Sequence, residues 1–205
     1  RRSLPRRPAW PTRETLEVLP NLGREGQSYL HHIVKNYDSL ATYTAFVQGK
    51  GEHNAVNVPK AIRKFQSVPQ SVLFFPIVHY EPKGALMYVD GDKGEQGGYN
   101  ASNHLLIFPY DDHQLADRAR AAYMGLFGGS ACDLPPMVFP AGAQMIVHRS
   151  AIRAKPLQFW RDLERLTREC FIYVWQLERI WTFVFDAETP PAPKMEWPGY
   201  CRDAP

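Results

Sequence analysis

The sequence predicts a single α/β domain of three layers. Segments with apolar residues at helical spacing alternate along the chain with short runs of apolar and β-branched residues, a pattern typical of helices layered against a sheet. A chain of 205 residues, 44% of them hydrophobic, can bury one sizeable core. Prolines and arginines dominate the start of the chain, and prolines recur at its end. We therefore expect the domain at residues 21–186, between a flexible basic lead-in, 1–20, and a proline-rich tail, 187–205.

The first half of the chain is predicted to alternate two helices with three strands. Apolar residues at helical spacing predict a first helix over residues 24–37, and aromatic and β-branched residues predict a strand over 42–47. A short helix is expected over residues 58–67 and a further strand over 86–89. The apolar run at 72–80 is interrupted by Pro76, which suits an edge strand or a loop. Glycine and polar residues then predict a mobile loop at 90–103.

The second half is predicted to be mainly helical. Helical spacing returns over residues 114–127, and a short buried strand is expected at 144–147. Pro156 stands where proline is tolerated, at the start of the next helix. A last helix is expected at 175–185, and the chain after Asp186 is expected to be coil.

Positive charge is concentrated in two stretches, although the whole chain carries a formal charge of only +3. Residues 1–13 contain five arginines and no acidic residue, and residues 148–168 contain six lysines and arginines against Asp162 and Glu164. The rest of the chain is therefore net negative. This distribution suits a basic surface for a polyanion and an acidic pocket for a cation, and an ordinary solvated surface explains it equally well.

The three cysteines, Cys132, Cys170 and Cys201, are too few and too widely spaced to predict a disulfide framework or a zinc site. They favour buried thiols and a reducing compartment. No stretch approaches the roughly 18 consecutive apolar residues of a membrane helix, and residues 1–13 lack the apolar core of a signal peptide. We therefore expect a soluble, cytoplasmic protein.

One segment carries a specific motif, whereas common catalytic and phosphate-binding signatures are absent from the sequence. Residues 21–34 read NLGREGQSYLHHIV and are followed by Asn36-Tyr37-Asp38 and by TAFVQG at 44–49. They resemble the pattern N-x-G-R-E-x-x-[ST]-Y-L-x-[HY]-I-[IV]-x-N-Y-[DE] of the fungal arginine-containing cyclodipeptide synthases. GAQMIV at 142–147 and LERIW at 177–181 also look like that family, so the resemblance spans about residues 18–186.

This resemblance implies a degenerate form of the GT-A glycosyltransferase fold. It implies an enzyme that takes arginyl-tRNA and a second aminoacyl-tRNA and releases a cyclo-arginyl-Xaa diketopiperazine without ATP. The chain departs from the family at its N-terminus, where Arg-Pro sequence stands in place of an initial core strand.

The presence or absence of metal ligands distinguishes a cyclodipeptide synthase from a GT-A glycosyltransferase. A GT-A transferase usually holds a divalent ion with two carboxylates at the end of a core strand. After Phe46-Val47 this chain has Gln48-Gly49-Lys50, and its only D-x-D is Asp90-Gly91-Asp92, which a turn explains more readily. We expect no metal or cofactor. A nucleotide-sugar-dependent GT-A glycosyltransferase and a non-catalytic RNA-binding module remain as alternatives.

Cyclodipeptide formation requires a base for the α-amine and an acidic cradle for the guanidinium. The candidates for these catalytic roles are Glu25, His31, His32 and Glu178. For Glu25 a helix-capping role is equally plausible, as is a core position for His32 and an ion pair for Glu178 with Arg179. The candidates for substrate binding are Asn21, Arg24, Tyr29, Asp38, Gln48, Gln144 and Arg179. The candidates for the tRNA backbone are Arg149, Arg153, Arg161, Arg165 and Arg168, of which the last three share one helix face.

Overall fold

Helices and short strands alternate in the computed structural model of the chain. It describes residues 17–48, 72–74, 86–88, 99–100, 105–106, 113–130, 138–140, 143–170, 173–196 and 198–201. In chain order the helices and strands are α1 Arg24–Asn36, β1 Tyr43–Phe46, β2 Val72–Phe74, β3 Leu86–Tyr88, β4 Tyr99–Asn100, β5 Leu105–Leu106, α2 His113–Phe127, β6 Val138–Pro140, β7 Met145–His148, α3 Arg149–Arg153, α4 Leu157–Glu169 and α5 Tyr173–Val184. Short 3-10 turns among these residues cover Tyr37–Ser39 and Gly199–Cys201.

Within the described residues the strands form two small sheets. In the first, β7 lies between β1 and β2 and pairs antiparallel with both, so that Phe46 and Phe74 each stand opposite Met145. The second has the order β4-β5-β3-β6, with a parallel pairing only between β3 and β5. The α/β class predicted from the sequence is confirmed.

Helices α1 and α4 pack antiparallel and bring the start of α1 to the end of α4. Gly23 lies against Thr167, and at the opposite end the Tyr37 hydroxyl donates a hydrogen bond of 2.6 Å to the Lys155 carbonyl oxygen. The buried side of α1 presents Leu30 and Ile33, both 0% exposed, to the core. This burial positions the helix that carries most of the sequence motif.

Aromatic rings form the centre of the core. Trp181 and Phe185 of the α5 region stack with ring centroids 5.3 Å apart, and Phe46 at the end of β1 stacks on Phe185 at 6.3 Å. Tyr29 of α1 packs against Phe46 at 5.0 Å. Each such ring buries a large apolar area, so these contacts hold α1, β1 and α5 at fixed positions.

The four long helices are confirmed, and each bound predicted for them lies within about two residues of the observed one. The strands expected at 42–47, 86–89 and 144–147 match as closely. Strand β2, Val72–Phe74, lies within the segment expected at 72–80, of which residues 75–80 lie outside the described residues. The helix expected at 58–67 lies outside the described residues, as does the loop expected at 90–103 apart from β4. Helix α3 and strands β4 to β6 were missed, because elements of two to five residues are too short to show a period.

The prediction of free thiols was wrong for Cys170 and Cys201, which form a disulfide with Cα atoms 5.2 Å apart. The two cysteines are separated by 31 positions in sequence, but the chain returns after α5 and brings Cys201 to the end of α4. Within residues 187–201 the backbone N–H groups of Ala192 and Glu196 donate to the carbonyl oxygens of Leu126 and Gly125. The irregular chain after Asp186 is thus attached to α2 and α4.

Lys155 is completely buried in the turn before α4 and donates a hydrogen bond to the Asp186 carbonyl oxygen. Burial lowers its pKa below the ordinary 10.5, while the charge of Asp186 acts in the opposite direction. The unfolded chain therefore binds the proton of the Lys155 ammonium more tightly than the folded chain does. As a result, Lys155 makes the free energy of unfolding rise with pH between its lowered pKa in the folded chain and its ordinary pKa in the unfolded chain.

We expect Lys155→Met to remove this rise. The free energy of unfolding of the wild type relative to the variant should be larger at about pH 10 than at about pH 8, as measured by urea denaturation. Tyrosines with raised pKa values titrate in both proteins and cancel in the comparison. An identical pH dependence in the two proteins would show that Lys155 is not the cause.

Candidate functional site

A polar cleft of about 550 Å³ lies at the start of α1. The chain before α1 forms one wall, the first turns of α1 form the floor, and the end of β1 forms the opposite wall. The described residues that line it are Glu17, Leu19, Pro20, Asn21, Arg24, Glu25, Ser28, Tyr29, Val47 and Gln48. The volume is that of a small-molecule site.

The backbone beside the cleft is strained at two positions. Arg24, which lines the cleft, has φ 47°, and Ala143, which precedes β7, also has φ 47°. Residues other than glycine rarely adopt this left-handed conformation, and where they do the strain is often associated with a functional site. Arg24 itself lines the cleft, and Ala143 precedes Gln144, whose side chain accepts a hydrogen bond from the backbone of the lining residue Gln48.

Glu25 is held in place by glutamines from the adjoining strands. Nε2 of Gln48 donates to Oε1 of Glu25 at 3.0 Å, and the backbone N–H of Gln48 donates to Oε1 of the buried Gln144 at 3.3 Å. The end of β1 and the start of β7 therefore position a carboxylate at the cleft. The sequence motif predicted all three residues for the site, and the fold brings them together.

Tyr29 is 6% exposed and lines the cleft. Its hydroxyl is buried and makes no hydrogen bond in the described part of the chain. Burial, and then the negative charge of Glu25, raise the pKa of Tyr29 far above its ordinary value. The hydroxyl is therefore protonated at neutral pH, and as a buried donor without an acceptor it would gain from a ligand that supplies one.

His31 stands between two carboxylates. Its Nε2 lies 2.9 Å from Oε1 of Glu17, and its Nδ1 lies 3.4 Å from Oε1 of Glu164, which is 6% exposed. An imidazolium can donate to both, whereas the neutral ring has a single donor. Glu17 also accepts a hydrogen bond from Lys35 at 2.8 Å, and its pKa is lowered by the hydrogen bonds from Lys35 and His31.

His32 has different surroundings from its neighbour. Its ring meets Phe46 edge-on with centroids 6.1 Å apart, and Asn36 lies one turn further along the helix with Nδ2 3.3 Å from the His32 Nδ1. The His32 side chain is exposed, so it does not occupy the core position that the sequence left open. Partial burial of its ring, and then the nearby His31, lower the pKa of His32, so the ring is neutral at physiological pH. It packs beside the cleft and is not one of the described lining residues.

Three further candidates are also absent from the described lining of the cleft. Asp38 is exposed in the turn after α1, and its carbonyl oxygen accepts a hydrogen bond from Arg153 at 3.1 Å. Glu178 and Arg179 are half-buried on α5, where Arg179 donates to the Trp175 carbonyl oxygen at 2.9 Å. His31 also lies outside the described lining and reaches the cleft only through Glu17. The geometry therefore favours Arg24, Glu25 and Tyr29, which line the cleft, over these candidates.

The five candidate arginines for a polyanion are all exposed. Those on α4 lie along one face, where Arg165 pairs with Asp162 at 3.2 Å and Arg168 lies 3.6 Å from Glu164. Since Glu164 touches His31 and His31 touches Glu17, the C-terminal end of this stripe adjoins the cleft wall. Arg149 and Arg153 belong to α3.

Sequence reasoning missed Glu17 because it lies in the arginine- and proline-rich lead-in. Its role depends on contacts with His31 and Lys35, which lie 14 and 18 positions away and leave no local pattern. Ser28 also lines the cleft, and its hydroxyl donates to the Arg24 carbonyl oxygen at 3.3 Å. Within the described ranges no three His, Cys, Asp or Glu side chains are grouped to hold a metal ion, and Asp90 and Asp92 lie outside those ranges.

Gly23 sets the distance between α1 and α4 at the base of the cleft. An added Cβ would lie 2.7 Å from the Cβ of Gln27 and 3.0 Å from the Thr167 carbonyl oxygen. We expect Gly23→Ala to lower the free energy of unfolding by roughly 1–3 kcal/mol, because backbone must move to relieve the overlap. Gly199→Ala is the matched control, since an added Cβ there meets nothing within 4 Å. Equal stability of the two variants in urea would contradict this account.

The fold and the cleft define a small α/β protein whose described part contains a polar cleft lined by carboxylates. The chain belongs to the family described as protein of unknown function (DUF3431), whose pattern matches residues 8–202. No curated protein and no solved structure is significantly similar to it. No helix among the described residues is long and apolar enough to cross a membrane.

Proposed function

We propose that the chain is an aminoacyl-tRNA-dependent cyclodipeptide synthase that makes cyclo-arginyl-Xaa. The observation that carries the proposal is the cleft itself, in which the carboxylates of Glu17 and Glu25 line a space of about 550 Å³ beside an arginine-bearing helix. An arginyl ester carries two cationic groups, the guanidinium and the α-ammonium, and carboxylates are their natural partners.

Glu25 is the proposed anchor of the guanidinium. Gln48 holds one of its oxygens at 3.0 Å, so the carboxylate is oriented before a ligand arrives. Glu17 is less suited to this role because Lys35 and His31 already contact its two oxygens. The buried Tyr29 hydroxyl is the proposed donor to a carbonyl oxygen of the substrate.

The proposed reaction balances without ATP because each aminoacyl ester is already activated. The α-amine of one aminoacyl group attacks the ester carbonyl carbon of the other, the ester C–O bond breaks, and the first tRNA leaves with its ribose hydroxyl. The remaining amine then attacks the second ester, which closes the ring and releases the second tRNA. Each step moves one proton from an amine to the departing ribose oxygen.

His31 is the proposed acceptor of the amine proton. In its neutral form it can take a proton through Glu17, which lines the cleft and touches it at 2.9 Å. The imidazolium is then stabilised by Glu17 on one side and the buried Glu164 on the other. His32, whose pKa is lowered by burial, is the second candidate base.

The exposed arginines of α3 and α4 are the proposed contacts to the tRNA backbone, which give affinity without reading sequence. The three-layer GT-A-like arrangement and the cytoplasmic location belong to the same proposal, since aminoacyl-tRNA is made in that compartment. A disulfide is unusual there. The thiol state of Cys170 and Cys201 in a cell extract therefore bears directly on the location.

The test is to incubate the purified protein with an arginyl-tRNA-generating system and all twenty amino acids with their synthetases, and to search for arginine diketopiperazines by mass spectrometry. The expected result is a product that requires arginyl-tRNA and is abolished by ribonuclease. Absence of any arginine diketopiperazine would overturn the proposal. A thermal-shift screen with uridine and guanosine diphosphates and Mn²⁺ or Mg²⁺ identifies the glycosyltransferase alternative.

A further inference from the structure

Trp175 is the exposed tryptophan of the described part of the chain. It is 41% exposed on the first turn of α5, whereas Trp160 and Trp181 are 0% and 1% exposed. A tryptophan ring that keeps part of its surface in solvent offers a large, rigid face on which a planar ligand can stack.

Arg24 joins this tryptophan to the cleft. The guanidinium carbon of Arg24 lies 5.4 Å from the centroid of the Trp175 ring, within the range of a cation–π contact. Arg24 also lines the cleft, and its backbone is in the left-handed conformation with φ 47°. The Trp175 ring therefore lies beside a residue that lines the cleft, and we call the edge formed by Arg24 and Trp175 the mouth of the cleft.

Other exposed apolar side chains belong to the chain segments that form the cleft. Val47 lines the cleft, and Val18 and Leu22 each stand next to a lining residue in the chain; they are 41%, 89% and 45% exposed. Only Tyr43, at the far end of β1, lies apart from them. The mouth thus combines apolar surface with a positive charge, which is the surface that an unstacked nucleobase and its phosphate require.

We propose that Trp175 and Arg24 form a stacking platform for the unpaired 3′-terminal nucleotide of the RNA substrate. The inference rests on the proposed function, because the ribose that carries the aminoacyl ester also carries the terminal base. When the aminoacyl group occupies the cleft, that base lies at the mouth, where it stacks on Trp175 while Arg24 contacts the adjoining phosphate. Stacking on an aromatic ring tolerates any base, so the platform serves every tRNA.

The test measures binding of a fluorescently labelled RNA tetranucleotide, ACCA, by anisotropy, and compares it with the same RNA carrying an abasic 3′ residue. We expect Trp175→Ala to weaken ACCA binding by roughly 5- to 100-fold and Trp175→Phe to retain most of the affinity. Tyr43→Ala is the matched control, because Tyr43 is 40% exposed and remote from the cleft; it should bind as the wild type does.

The abasic RNA separates stacking from a general structural effect. It should bind the wild type weakly, and Trp175→Ala should weaken it no further. Unchanged ACCA binding by Trp175→Ala would overturn the proposal, as would an equal loss for both RNAs, and either result would point instead to a protein partner for this surface. If RNA binding depends on Trp175 but no diketopiperazine forms, the proposed reaction is wrong and the stacking platform stands. If Trp175→Ala changes neither product formation nor RNA binding, only the stacking platform is wrong.

Discussion

Replacing Glu25 by glutamine is expected to reduce arginine incorporation by roughly 100-fold, which corresponds to about 3 kcal/mol of lost interaction. The variant keeps the shape of the side chain and can still accept a hydrogen bond from Gln48. It loses the negative charge that the guanidinium requires. The measurement is the rate of diketopiperazine formation at limiting arginyl-tRNA, together with a urea unfolding curve to establish that the fold is intact.

Two further variants control this experiment. Glu188→Gln removes an exposed carboxylate in the chain after α5 and should leave the rate unchanged. Glu25→Asp keeps the charge on a shorter side chain and should retain more activity than Glu25→Gln. If Glu25→Gln turns over as fast as the wild type, Glu25 is not the anchor, and Glu17 becomes the carboxylate to test.

Removing the disulfide is expected to lower the free energy of unfolding by about 3–4 kcal/mol, because closing a loop of this length restricts the unfolded chain. Cys201→Ser releases the last described turn from the end of α4 and leaves the backbone hydrogen bonds of Ala192 and Glu196 to hold the returning chain. Urea denaturation under oxidising and reducing conditions measures the effect.

Cys132→Ser is the matched control, since Cys170 and Cys201 pair with each other. This variant should remain as stable as the wild type under oxidising conditions, and reduced wild type should resemble Cys201→Ser. A reductant that has no effect on the unfolding midpoint of the wild type would show that the bridge does not contribute to stability.

The features predicted from sequence are those with a local physical cause. Periodicity located α1, and the motif around it indicated Asn21, Arg24 and Glu25, all of which line the cleft. The features that escaped prediction depend on contacts between distant positions. Glu164 meets His31 across 133 positions, and Cys170 meets Cys201 across 31, so neither pairing has a signature in the local sequence.

The two adjacent histidines show the same limit at closer range. Helical geometry places His31 and His32 on different faces of α1. In the folded chain His31 contacts carboxylates of the lead-in and α4, whereas His32 contacts an aromatic ring of β1. The positions of these neighbouring segments follow from the tertiary fold. The motif therefore indicated both histidines without distinguishing their chemistry.

The lead-in wall of the cleft is fastened to α1 by charged side chains at the surface, since Glu17 and Lys35 are 40% and 53% exposed. Attractions between exposed charges weaken as dissolved ions accumulate around them. The electrostatic attraction between exposed arginines and a polyanion weakens for the same reason. A rise in ionic strength is therefore expected to weaken both the contact between the lead-in and α1 and the binding of the proposed RNA partner beside it.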